Sequence, residues 1–173
     1  VDQGDTSNDP TIAQRIADPR YAGHLGLYHF ASGSDPTEQA QHFITRAQAI
    51  GFDKNKHAVV LDYEHSALPD AVGVDMKVAQ AQTWIGLVEA ALGCKVIVYG
   101  SDMLTEALQA GAFVSQPLWP ARYRVAPPEL PNGRRWTFWQ NQGEETRGTP
   151  YGDMDKFNGT QAELDATWPF FSR

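Results

Sequence analysis

Ala58-Val59-Val60-Leu61-Asp62-Tyr63-Glu64-His65 is the stretch whose reading decides the fold. Four apolar residues, two of them β-branched, make the kind of run found in a strand buried on both faces, and the run ends in two acids one residue apart. Side chains alternate across a strand, so Asp62 and Glu64 point the same way, with Cα atoms roughly 6.6–6.8 Å apart. Like charges held that close raise the pKa of one member, leaving one acid protonated and able to donate while the other is anionic. General acid catalysis uses such a pair. A plainer role, with both acids capping the strand end and facing solvent, fits the local sequence equally well.

The flanking segments place this strand. Before it, Leu25-Gly26-Leu27-Tyr28-His29-Phe30 alternates as a strand should, with Tyr28 and Phe30 on one face and His29 on the other. A lone histidine there is more often a hydrogen-bonded structural residue than a proton shuttle. Asp35-Pro36-Thr37-Glu38 then starts a helix with an N-cap acid, proline at the first helical position and glutamate at the third. Ala40, Phe43, Ile44, Ala47 and Ile50 follow at a 3.6-residue period, and Gly51 suits the left-handed residue that closes a helix. After the acids come a loop over residues 66–73, a helix over residues 75–92 striped by Val78, Ala81, Ile85, Val88 and Leu92, and Gly93 to end it. Lys95-Val96-Ile97-Val98-Tyr99 is a further buried strand, and Ser101 caps a helix that Gly111 closes.

A strand–helix unit repeated three times implies parallel strands joined by right-handed crossovers, hence an α/β fold, either a β/α barrel or an open sheet. In both, chemistry collects at the C-terminal strand ends. Phe30, Asp62, Glu64, Tyr99 and Gly100 all fall at such ends, which favours the functional reading of the acid pair. Beyond Gly111 the rhythm stops. Gln116-Pro117-Leu118-Trp119 and Arg135-Trp136-Thr137-Phe138-Trp139-Gln140 read as short aromatic strands around a proline-rich loop, so the C-terminal part is expected to be strand-rich and antiparallel. Any one of Trp119, Tyr123, Trp136 and Trp139 fits a core position, but together they suggest a groove that stacks on sugar rings. Residues 1–20 are polar and read as a loop with a short helix over residues 11–17.

The 173 residues suffice for one domain, 1–173, with its own core. Fourteen basic against twenty-one acidic residues give a formal net charge of −7, which argues against nucleic-acid or anionic-membrane partners. No apolar run approaches the ~20 residues that span a bilayer. The single cysteine, Cys94, excludes an internal disulfide, and its apolar flanks make it a core residue. Metal hydrolysis by Asp62, Glu64 and His65 is disfavoured because His65 lies on the opposite strand face from Glu64.

Six blocks occur in an order that resembles a known family: Gly26-Leu27-Tyr28-His29-Phe30, Leu61-Asp62-Tyr63-Glu64, Val98-Tyr99-Gly100-Ser101, Leu118-Trp119-Pro120-Ala121-Arg122-Tyr123, Trp139-Gln140 and the run from Gly152 to Gly159. The family is the glycoside hydrolases of family 25, the Chalaropsis-type lysozymes of bacteria, fungi and phages. The resemblance implies a modified (β/α) barrel of the TIM-like kind and cleavage of the β-1,4 bond between N-acetylmuramic acid and N-acetylglucosamine. It implies Glu64 as general acid/base, Asp62 as the partner that orients the acetamido group or stabilises positive charge, and Asp153 as a later acid lining the site. Asp155 falls where the family has Asn or Asp. Tyr28, Tyr99, Trp119, Tyr123 and Trp139 match positions that line the family's groove. Val1-Asp2-Gln3-Gly4 aligns with the end of the family's second strand, and the first strand with its Asp-x-Ser-type acid has no counterpart in the sequence. The expectation is a monomer acting on peptidoglycan glycan strands at the cell wall or outside the cell, without metal or cofactor. A peptidoglycan-binding module without turnover and a chitin-directed glycosidase on a related barrel are the alternatives.

Overall fold

The computed structural model describes residues 24–65, 75–124, 126–143 and 153–169, preceded by residues 2, 3, 7, 8, 11, 14 and 18. Strands β1 (Asp2–Gln3), β2 (Ser7–Asn8), β3 (Leu25–Phe30), β4 (His57–Asp62), β5 (Val96–Gly100) and β6 (Leu118–Pro120) form one sheet in the order β2-β1-β3-β4-β5-β6. From β1 to β6 all neighbours run parallel, and β2 pairs antiparallel with β1. The apolar stretch at residues 58–61 forms the middle of β4, with Val59 and Leu61 fully buried. The expected helix over residues 11–17 and loop over residues 66–73 fall largely outside the described residues.

Strand register brings the site residues into line. Phe30 pairs with Asp62, Asp62 with Tyr99, and Tyr99 with Trp119, so one row across four strands lies at the C-terminal edge. Tyr28, Val60 and Ile97 form the row below on the same face. The alternate residues Leu27, Val59, Leu61, Val96, Val98 and Leu118 turn to the other face, where they pack against the helices. Each buried Val or Leu there contributes about 1.5–3 kcal/mol of transfer free energy.

Three helices cover that second face. Helix α1 (Pro36–Ala49) starts where the cap signal predicts, with Asp35 Oδ1 accepting the Thr37 and Glu38 N–H groups at 2.7 and 3.1 Å. It ends with Gly51 at φ 80°. Its stripe is the expected one: Ala40, Phe43 and Ala47 are buried, with Ile44 and Ile50 packed beside them. Helix α2 (Val78–Leu92) stops at Gly93, φ 66°, and α3 (Asp102–Gln109) is followed by Gly111 at φ 78°. Ser101 occupies the α3 N-cap without a side-chain cap bond. Cys94 lies in this core, and burial pushes its thiol up to about 11, which suits an inert residue.

The C-terminal part differs from the expected strand layout. β6 joins the main sheet in parallel beside β5, with Leu118 in the helix-covered core and Trp119 on the opposite face. Strands β7 (Phe138–Gln142) and β8 (Met154–Phe157) do pair antiparallel, as a second, two-stranded sheet. Helix α4 (Gln161–Thr167) follows, capped by Thr160 and Glu163 in a reciprocal box. A single parallel bridge, Ala121 to Gln140, links β6 to β7, so among the described residues the two sheets do not close into a barrel. Between them lies a smaller apolar layer of Ala58, Val60 and Ile97, packed against Tyr99, Trp119, Phe138 and Trp168. No helix among the described residues is long and apolar enough to cross a membrane.

Candidate active site

The acid pair is held by the backbone that continues β4. The Ala31 N–H donates to the Asp62 carbonyl at 2.9 Å, and the Tyr63 N–H donates to the Tyr99 carbonyl at 2.8 Å. These bonds keep the chain extended past the last strand residue, so the alternation of side chains continues. Tyr63 turns into the helix-side core, 3% exposed, with its ring edge against Phe113. Asp62 and Glu64 therefore turn the other way, into a groove of about 470 Å³ between the two sheets. Gly100 makes this closeness possible: a Cβ there would collide with the Tyr63 carbonyl oxygen.

Three rows build the groove. Its rim carries Asp62, Glu64, Tyr99 and Trp119 on the main sheet, facing Gln140, Asp153 and Asp155. Its middle is Tyr28, Val60 and Ile97, and its far end is closed by His24, Phe138, Leu164 and Trp168. Carboxylates thus line the rim on both sides of an apolar floor.

The rim is hydrogen-bonded across the two sheets. Tyr99 OH and Tyr123 OH both donate to Gln140 Oε1 at 2.9 Å, and Gln140 Nε2 donates to Asp153 Oδ2 at 3.1 Å. Trp119 Nε1 donates to Asp155 Oδ1 at 2.8 Å, which fixes an indole that also meets Tyr99 edge-on. Asp62 Oδ1 is buried with no hydrogen-bond partner among the described residues.

Burial, with the nearby Glu64 charge adding to it, pushes the Asp62 carboxyl up to about 7. Tyr99 is raised by burial and then by Glu64 and Asp62, so its phenol stays protonated and able to donate. Desolvation against the groove wall raises Asp155 although the residue is exposed overall, with the Trp119 hydrogen bond opposing and Asp153 adding. Such a rim can donate a proton from a carboxylic acid and stabilise positive charge beside it.

Most of the residues singled out in the sequence meet here. Asp62, Glu64, Asp153, Tyr28, Tyr99 and Trp119 all line the groove, with Tyr28 40% exposed. Tyr123 sits behind the rim as a donor to Gln140, its residue 54% exposed. Trp139 is not brought to the groove. It lies on the opposite face of β7 from Phe138 and Gln140, is 1% exposed, and donates its Nε1 to the Arg122 carbonyl at 2.7 Å. Strand alternation is the physical reason, since neighbours on β7 cannot share a face. His29 is structural: wholly buried, bonded through Nε2 to Gln39 Oε1 at 3.0 Å and stacked on Trp84, with its pKa lowered by burial to about 4. His65 turns out of the groove and pairs with Asp75 at 2.6 Å. Gln140, Phe138 and Trp168 also line the groove, beyond the residues expected there. For Gln140 the signal was present, because period-two alternation selects 138 and 140 together and sets 139 apart.

A paired-acid groove at the C-terminal edge of a parallel α/β sheet defines the class, and comparison with known proteins defines the family. Residues 1–147 match the model of glycosyl hydrolases family 25, and the chain belongs to that family. It is 32% identical over 171 residues to the uncharacterised protein YegX of Escherichia coli strain K12, covering 95% of this chain and 59% of YegX. The chain thus spans about three-fifths of the length of that curated relative. Among solved structures, a family 25 glycosyl hydrolase from Bacillus anthracis superposes with a TM-score of 0.71 at 24% identity, covering 96% of this chain and 79% of the other. The catalytic domain of a bacteriophage endolysin of Listeria monocytogenes superposes at 0.65 and 23% identity, covering 95% and 82%.

Proposed function

We propose that this chain hydrolyses peptidoglycan, cutting the β-1,4 bond between N-acetylmuramic acid and N-acetylglucosamine, with Glu64 as general acid/base and Asp62 as its electrostatic partner. One observation carries the reading: β4 and its extended continuation deliver Asp62 and Glu64 to one wall of a groove that Asp153 faces from the other side. Family membership supports the reaction class. The facing acid Asp153 and the rings of Tyr28, Tyr99 and Trp119 suit a glycan with polar edges and apolar faces.

Glycosidic cleavage passes through an oxocarbenium-like transition state, which needs a proton for the leaving oxygen and negative charge near the anomeric carbon. Glu64 stands beyond the strand end and is half-buried, placed to meet the glycosidic oxygen. The 2-acetamido oxygen of the substrate attacks the anomeric carbon as the bond to the leaving oxygen breaks, and that oxygen takes the Glu64 proton. The Asp62 carboxylate, its proton released to solvent before the bond breaks, accepts the acetamido N–H, and the positive charge growing beside it favours the ionised form. Water then opens the oxazolinium ion, its proton passing to Glu64, and the anomeric configuration is retained.

Clearing of a cell-wall suspension by the chain and by Glu64→Gln tests the assignment. Loss of about 10²–10⁴-fold in rate is expected for removal of a general acid. Equal clearing by both would remove Glu64 from its role, and binding of walls without any release of reducing ends would favour a non-catalytic glycan-binding module. Chitin oligomers compared with bacterial walls separate muramidase from chitin-directed cleavage. Products formed in labelled water and resolved by anomeric NMR should show retention; inversion would refute the acetamido mechanism.

A further inference from the structure

We propose that Gln140 is a positioning residue that orients Asp153 toward the groove, a role that rests on the reading of this groove as a glycan-cleaving site. Gln140 is 5% exposed and stands at the seam between the two sheets. Its backbone carbonyl accepts the Arg122 N–H at 3.0 Å, and the parallel bridge to Ala121 fixes its place beside β6. Its side chain ties β7, where it originates, to three other segments, through Tyr99 on β5, Tyr123 after β6 and Asp153 immediately before β8.

The direction of the amide follows from its partners. Two phenol O–H groups donate to Oε1, and an amide oxygen has two lone pairs, so the oxygen is saturated. A flipped amide could still donate to the two phenol oxygens, but its own oxygen would then face the Asp153 carboxylate, acceptor against acceptor. The NH2 group is thereby committed to Asp153 Oδ2, and Asp153 is held by a donor on the main body of the protein. Tyr99 strengthens the arrangement, because its raised pKa keeps its proton in place as a donor. Asp153 faces the groove opposite the β4 acids, so a change at Gln140 acts on the site through a residue that touches it.

Gln140→Glu tests this. One carboxylate oxygen of the new side chain can still accept both phenols, but the other meets Asp153 oxygen to oxygen. That pairing holds only while the two carboxyls share a proton, and it fails when both ionise. The expected result is a variant whose thermal midpoint lies well below that of the unmodified chain at pH 8, with the gap narrowing at about pH 4.5. Gln140→Met, similar in size and unable to titrate, should show a gap that does not change with pH. On peptidoglycan the glutamate variant should lose about 100-fold in kcat at pH 8 with KM within about twofold, and regain much of it at acidic pH. A stability gap that is the same at both pH values overturns the proposal, as does a pH-dependent gap with kcat unchanged. Failure of the unmodified chain to cleave peptidoglycan would instead sink the functional reading, since the thermal comparison needs no substrate.

Discussion

At Asp62 the sequence asks for two incompatible things, burial and charge. The carboxyl has a reference value of 3.8 and is pushed up to about 7, chiefly by burial and then by Glu64. Because the folded value is the higher one, the folded chain binds more protons than the unfolded chain between those limits. The stability linked to this proton is therefore fully present below about pH 4 and is lost as pH rises through about 7. Asp62→Asn keeps the shape and cannot ionise, so it should match the unmodified chain near pH 4 and exceed it at pH 8, by an amount on the order of a few kcal/mol at most. Thermal unfolding of both forms from pH 4 to 8 checks this; a constant difference across that range would mean that Asp62 is not desolvated as described. Such an acid is costly to keep, which is the pattern of a residue retained for chemistry rather than for stability. Asp62 and Glu64 were legible as a pair from two residues of spacing. Which of the two is more deeply desolvated was not, because that depends on Ala31, Tyr99 and the second sheet, all brought in from elsewhere in the chain.

At the scale of elements, the decisive contact is between the extension of β4 and the end of β5. Gly100 ends β5 directly beside the Tyr63 carbonyl, and an added Cβ would collide with that oxygen and also come 3.1 Å from Leu104 Cβ. Backbone cannot yield as a flexible side chain can, so Gly100→Ala must displace the segment that carries both acids. The expected cost is about 1–3 kcal/mol in urea denaturation together with a fall in kcat larger than any change in KM. An alanine variant with full activity would show that the acids tolerate a moved backbone. Helix α1 supports the same rim from the other side. Gln39, wholly buried, accepts from His29 and from the Ser32 N–H and hydroxyl, and donates to the Ser32 and Ser34 carbonyls. Gln39→Leu should cost about 2–4 kcal/mol, read from the denaturation midpoint, since several buried polar groups lose their partner together. Elements with local signals were readable in advance: the Asp35 cap, and the closing glycines 51, 93 and 111. The antiparallel pairing expected of the C-terminal part holds for β7 and β8 but not for β6, whose three residues carry no sign of which partner they choose. β8 and α4 were not foreseen, since Met154–Phe157 is mostly exposed and α4 has no buried residue.

For the whole molecule, the governing facts are an acidic rim and a formal net charge of −7. The acids of the rim, Asp62 among them once the pH exceeds about 7, concentrate negative potential at the groove, and a low-dielectric floor of Val60 and Ile97 focuses it. A neutral sugar would be indifferent to this field, but on the proposed substrate the lactyl carboxyl of N-acetylmuramic acid is amide-linked to a peptide stem whose own carboxylates approach the rim against repulsion. Screening shortens the reach of that repulsion from about 30 Å at 0.01 M salt to about 8 Å at 0.15 M. Cleavage of peptidoglycan should therefore speed up severalfold over that range, through KM or the encounter rate, while kcat stays nearly constant because charges in contact within the bound complex are screened far less than charges still approaching. Neutral N-acetylglucosamine oligomers should show little response to salt in a binding measurement over the same range. Slowing by salt would imply that attraction to the wall, arising from a surface other than this groove, limits the reaction. A rise in kcat itself would place the salt-sensitive step inside the groove, at the Asp62–Glu64 pair, and not in the approach of the polymer.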